Sequence, residues 1–225
     1  MDRKKFIRKG ILGFGSLVAI PTLLTSCDDG TVDPNECEVS PTEMAGPFPI
    51  KSPADWVRAN VIGNRNGVAL MMNFTIQNTK NDCEPIVGAF VDIWQCDADG
   101  NYSEYSGQLD GNFTNEHFLR GRQATDTNGT VSFISIYPGW YPGRAPHIHF
   151  EVLDSDGESL LIGQTAFPDD ISKTVYADTN YKGDADTSNE DDFLFDGSLA
   201  GNMANSVTGN NTDGYLLNTI IKVKG

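Results

Sequence analysis

Pro138-Gly139-Trp140-Tyr141-Pro142-Gly143-Arg144-Ala145-Pro146-His147-Ile148-His149-Phe150 is the stretch on which the reading of this chain turns. From His147 onward, Ile148, Phe150 and Val152 alternate with His147, His149 and Glu151, the period of two expected of a strand with one face in a core. On such a strand the two histidines point the same way, with Cα atoms roughly 6.5–7 Å apart, so both imidazoles can reach one ion. The preceding Pro-Gly pairs make a turn-rich loop able to bring Tyr141 and Arg144 round to that face. A His-x-His on a strand is also compatible with the wet face of an ordinary antiparallel sheet. Yet the chain has only three histidines, and two of them fall here. Histidine, tyrosine and arginine together suggest an anionic ligand at a metal.

Working outward, the β pattern continues. Val68 to Ile76, Ile86 to Trp94, Thr130 to Ile136, Leu160 to Phe167 and Tyr215 to Val223 read as further strands, with Asp97-Ala98-Asp99-Gly100 as a turn. Asp170 to Asp178 reads as a short helix capped by Asp169 or Asp170, and residues 180–214 as polar loop. At 225 residues the chain is long enough for one ordinary domain and too short for two comfortable ones. The expected fold is all-β: a mostly antiparallel β-sandwich with long loops and at most short helices.

Residues 1–26 stand apart from that domain. Arg3, Lys4, Lys5, Arg8 and Lys9 precede an apolar stretch from Ile11 to Leu24, and Thr25-Ser26 leads to Cys27. This resembles a bacterial lipoprotein signal with Cys27 as the lipid-carrying residue, and Arg3-Lys4-Lys5-Phe6-Ile7 resembles a twin-arginine export signal with one arginine replaced. Export through either that route or the general secretory route is compatible with it. The expected organisation is a signal over 1–26, a polar tether over 27–40 and a domain over 41–225, lipid-anchored in the cell envelope. Without 1–26 the chain keeps 11 basic and 30 acidic residues, a net charge of −19. No basic patch is available to neutralise phosphates, so nucleic acid is not an expected partner. Cys37, Cys83 and Cys96 allow one disulfide in an oxidising compartment. Cys83 and Cys96 flank a strand and lie too far apart if it is extended, leaving Cys37 with Cys83 or with Cys96.

The stretch from Pro138 to Phe150 resembles the signature of the intradiol ring-cleavage dioxygenases, the protocatechuate and catechol dioxygenase family. Thr42 to Phe48 is similar to that family's Gly-Pro-aromatic turn, and Val91 to Tyr102 to its strand leading to a first tyrosine. Leu119 to Asp126 and Gln164 also find counterparts, so the likeness runs from about residue 40 to the end. It looks most like the exported, lipoprotein-like branch. The resemblance implies four ligands to a non-haem Fe(III): Tyr102, Tyr141, His147 and His149. Tyr105 is the rival of Tyr102, but the Gly-x-Tyr spacing favours Tyr102. It also implies catalytic roles for Arg144, Gln164 and Tyr141, the last accepting substrate protons. The implied partners are a small aromatic diol and O2, and the implied product is a cis,cis-muconate. Assembly is left open, a homo-oligomer included.

A second class also fits part of the pattern. Pro85 to Trp94, Asp99 to Tyr102 and Thr125 to Phe133 resemble prealbumin-like β-sandwich modules, which bind without catalysis. The two-tyrosine, two-histidine, arginine and glutamine set separates the readings, because a binding module has no use for it.

Overall fold

Alternation along β1 (Ala69–Asn78) shows what drives the layering: Leu70, Met72, Phe74 and Ile76 are fully buried while their neighbours are half exposed. In this computed structural model, which describes residues 37–225, β1 lies at the middle of one sheet. On one side it pairs in parallel with β9 (Gly214–Val223), beyond which β8 (Ser206–Asn210) runs antiparallel. On the other side it pairs antiparallel with β5 (Thr130–Ile136), and the two-residue β2 (Glu84–Pro85) continues that edge. The second sheet is antiparallel throughout, in the order β4 (Arg120–Ala124), β3 (Phe90–Trp94), β6 (His147–Leu153), β7 (Ser159–Ala166). The two sheets close on a shared apolar layer, in which Phe74 meets both Phe133 and Phe150 with ring centroids 6.2 Å apart. This is the all-β sandwich expected from the sequence, with one parallel pair.

Several local expectations change. The helix α1 spans Asp169–Tyr176 and is capped by Pro168 without a side-chain bond, since Asp169 is occupied with Asn189. The stretch 180–214, read as loop, contains a one-turn helix α2 (Leu199–Asn202) and β8. Only Val207 is buried in β8, so this edge strand carries no apolar alternation to read. The same holds for β4, whose sequence Arg-Gly-Arg-Gln-Ala is strand because β3 pairs with it. Cys37 bonds Cys83, and Cys96 is free and buried. The compact unit begins at Cys37, with Ser40 bonded to Lys222, so residues 37–40 belong to it. The signal, Cys27 and the start of the tether lie outside the described residues. Among the described residues no helix is long and apolar enough to cross a membrane.

The second sheet has an unusual second face. Ile148, Phe150 and Val152 enter the sandwich core, yet His147 and His149 are also only 3% and 2% exposed. A strap over residues 40–51, without helix or strand, passes over the His149 ring at Gly46. It is pinned where Glu43 N donates to Ile162 O, Trp94 Nε1 to Ala45 O and Arg120 Nη1 to Phe48 O.

Candidate metal centre

Sheet register puts Trp94, His149 and Gln164 side by side on the strap-covered face. Trp94 stacks on the His149 ring at 5.2 Å and 3°, and Gly46 leaves space on the same imidazole: a Cβ there would come within 3.1 Å of Cε1. Gly46 has φ +71, a conformation that favours glycine in any case.

The two tyrosines arrive on loops locked backbone to backbone. A Cβ on Gly100 would come within 2.4 Å of the Trp140 carbonyl, and one on Gly139 within 2.3 Å of the Asp97 carbonyl. Asp97 organises the first loop by accepting from Asp99 N and Asn101 N, and Gln108 Oε1 takes Tyr102 N. As a result the Tyr102 and Tyr141 rings meet edge to face, with centroids 5.8 Å apart. Tyr105, the rival, is turned away, its hydroxyl donating to Pro49 O.

At the centre, His147 Nε2 lies 3.1 Å from His149 Nε2 and 3.2 Å from the Tyr141 hydroxyl. The Tyr102 hydroxyl is fully buried beside them, interacting with the Tyr141 hydroxyl but without a hydrogen bond of ordinary geometry. His147 Nδ1 donates to Ala145 O at 2.6 Å, which turns its Nε2 lone pair inward. Burial pushes the His147 pKa down to about 3 and that of His149 well below its ordinary value, so both rings are neutral donors. Burial likewise pushes Tyr141 up to about 12 and Tyr102 well above the usual phenol range. A bound cation reverses that logic and ionises the phenols. Metal–ligand bonds of about 2.0–2.1 Å separate adjacent donor atoms by about 2.9–3.4 Å, which matches the spacings here. A cation among these atoms would take the lone pairs of both Nε2 atoms and give the buried Tyr102 hydroxyl a partner. Among the described residues no group of three or more His, Cys, Asp or Glu is placed to hold an ion, so tyrosine oxygens are needed to complete a site. The donor set fits a hard trivalent ion such as Fe(III).

Arg144 borders this cluster, with its side chain 7% exposed. Nη1 reaches the Tyr141 hydroxyl at 3.3 Å, Nη2 donates to Gln164 Oε1 at 2.6 Å, and Nε meets both oxygens of Asp192 at 2.9 and 2.8 Å. Gln164 Nε2 in turn holds the strap at Met44 O. All six site residues expected from the sequence are therefore brought together. Sequence reasoning missed Trp94 and Asp192. Pairing of the strand ending at Trp94 with the histidine strand would have found the first. Nothing in the acidic run around Asp192 marks the second.

A family model described as "Dioxygenase" (Dioxygenase_C) matches residues 48–185. The β chain of protocatechuate 3,4-dioxygenase from Burkholderia cepacia is 35% identical over 98 residues, 39% of this chain and 40% of that protein. Chlorocatechol 1,2-dioxygenase from Rhodococcus opacus is 31% identical over 133 residues, 51% of this chain and 48% of that one. The chain thus spans less than half the length of these curated relatives. Among solved structures, an intradiol ring-cleavage dioxygenase from Tetranychus urticae is similar with a TM-score of 0.73 and 29% identity, over 83% of this chain and 95% of that one. The dioxygenase domain of a carbohydrate-binding fusion from Streptomyces sp. SirexAA-E follows with a TM-score of 0.59 and 25% identity, over 82% and 97%. The family match over most of the domain makes this chain a member of the intradiol ring-cleavage dioxygenase family.

Proposed function

We propose that the protein is a ferric intradiol dioxygenase that uses O2 to break the ring bond between the two hydroxyl-bearing carbons of a catechol-type diol. Both atoms of O2 enter the two carboxylates of a cis,cis-muconate-type product, which balances the reaction. The observation that carries this reading is the convergence of two imidazole nitrogens and a phenol oxygen within 3.2 Å, beside the buried hydroxyl of Tyr102. A non-catalytic sandwich module has no reason to bury such a group.

Tyr102, Tyr141, His147 and His149 would hold the iron, the two phenolates favouring Fe(III) over Fe(II). Bound there, ferric iron would supply Lewis acidity toward the diol oxygens and so make the ring reactive toward O2. The remaining tasks belong to the chain. Tyr141 is the less buried of the two tyrosines, and its oxygen would take a proton from an arriving diol hydroxyl. Arg144 Nη1 donates to that oxygen and keeps positive charge beside it, where negative charge develops as the ring opens. Gln164 spends its oxygen on Arg144 and its amide on Met44 O, so it orients the guanidinium and ties down the strap. Trp94 and Gly46 flank the His149 ring and exclude water.

The isolated protein should carry about one iron per chain and a burgundy-red phenolate charge-transfer band. A protein that stays colourless and inactive after ferric reconstitution contradicts the proposal. We further propose export and lipid attachment at Cys27. The Cys37–Cys83 disulfide supports an oxidising compartment. Cys27→Ser should release the protein from membranes, and unchanged membrane association would refute the anchor.

A further inference from the structure

We propose that Asp192 is a positioning residue for this site, holding the Arg144 guanidinium aimed at Tyr141; this rests on the ring-cleavage reading above. Asp192 lies outside the stretch matched by the family model, which ends at residue 185, in a segment that the sequence marks only as acidic. Its side chain is nevertheless fully buried. The segment is built to present it: Ser188 O accepts from Asp191 N and Asp192 N, and Phe195 N returns to Asp192 O.

Each edge of the Arg144 guanidinium has a separate task. Nη1 faces the Tyr141 hydroxyl at 3.3 Å and Nη2 faces Gln164 at 2.6 Å. The Nε edge points away from the cluster and meets both Asp192 oxygens. Gln164 alone is one contact, about which a planar group can swing, and contact on the opposite edge stops that motion. Asp192 Oδ2 also takes Ala145 N at 2.9 Å, and Oδ1 takes Leu194 N at 3.1 Å. The same carboxylate thus fixes the backbone next to Arg144 as well as its side chain. The Phe195 ring lies over the guanidinium, with its centroid 5.5 Å from Cζ.

The test compares wild type, Asp192→Asn, Arg144→Leu and the double variant, all iron-loaded. Catechol turnover, iron content, the visible band, unfolding midpoints and anaerobic affinity for 4-nitrocatechol are measured for each. Asp192→Asn should keep iron and colour and lose roughly 10–100-fold in kcat, the range for partners that orient site groups, with much less change in KM and in 4-nitrocatechol affinity. In the Arg144→Leu background the same substitution should cost less than about twofold, because a residue acting through Arg144 has nothing left to aim. Equal losses in both backgrounds, or wild-type kcat in Asp192→Asn, overturn the proposal. Should Asp192→Asn fail to fold while the double variant folds, the kcat comparison is made with Asp192→Glu, which keeps the charge but displaces it, and wild-type kcat there overturns the proposal. Failure of both to fold makes Asp192 a structural residue and overturns it. An active wild type without this coupling sinks only the Asp192 assignment, whereas an inactive iron-loaded wild type sinks the ring-cleavage reading with it.

Discussion

The two faces of the sheet β4–β3–β6–β7 come from the same strands, yet they are held by different forces. On one, Ile93, Ile148, Phe150 and Val152 pack against the opposing sheet, and apolar area does the holding. On the other, Trp94, His149 and Gln164 lie under an irregular strap, and directed bonds to Met44, Ala45 and Phe48 do it. Alternation makes the two inseparable, because a one-residue slip in β6 would exchange imidazoles for phenylalanine. The first face buys stability that survives without a ligand. The second collects polar groups held by hydrogen bonds to one another and to the strap.

The contrast is tested most severely by adjacent residues of β6. Phe150→Ala should lower the stability of the metal-free protein by about 3–5 kcal/mol while its folded fraction still takes up iron. His149→Ala should abolish iron binding and turnover, with a smaller shift of the metal-free unfolding midpoint. Denaturant titration with iron analysis checks both, and equal stability losses would erase the distinction between the faces. Arg144→Leu comes next in size. It should keep iron and colour while kcat falls roughly 10²–10³-fold, the cost of one lost transition-state donor; full activity would make Arg144 an ordinary loop residue.

A smaller effect concerns acid. Burial holds His147 neutral, with its pKa pushed down to about 3, whereas in the unfolded chain it titrates near the usual 6.5. Below that value the unfolded chain binds a proton that the folded chain refuses. Stability of the metal-free protein should therefore be full above about pH 6.5 and fall as the pH drops below that value. His147→Gln should flatten the fall, and identical pH profiles would show that the ring is not protected as described.

What the sequence makes legible follows from the same division. Leu70, Met72, Phe74 and Ile76, or Ile148, Phe150 and Val152, announce their strands because burial on one face leaves a period of two. The histidine pair is legible because that same period aims both rings one way. β4 and β8 are silent, since their pairing is dictated by neighbours and not by apolar side chains of their own. Asp192 is silent for a deeper reason: its contact with Arg144 spans 48 residues and is made by the fold, and a buried aspartate looks like any other in an acidic run. The partner of Cys37 is not legible in the sequence, because the fold and not the spacing brings Cys83 beside it across 46 residues.

We propose that two tyrosines and two histidines hold Fe(III) for cleavage between the hydroxyl-bearing carbons. The most direct test is product analysis after reaction of the iron-loaded protein with catechol under ¹⁸O2. The product should be a colourless cis,cis-muconate carrying label from both atoms of one O2, apart from some loss by exchange with water. A yellow semialdehyde, formed by cutting beside the diol, would contradict it.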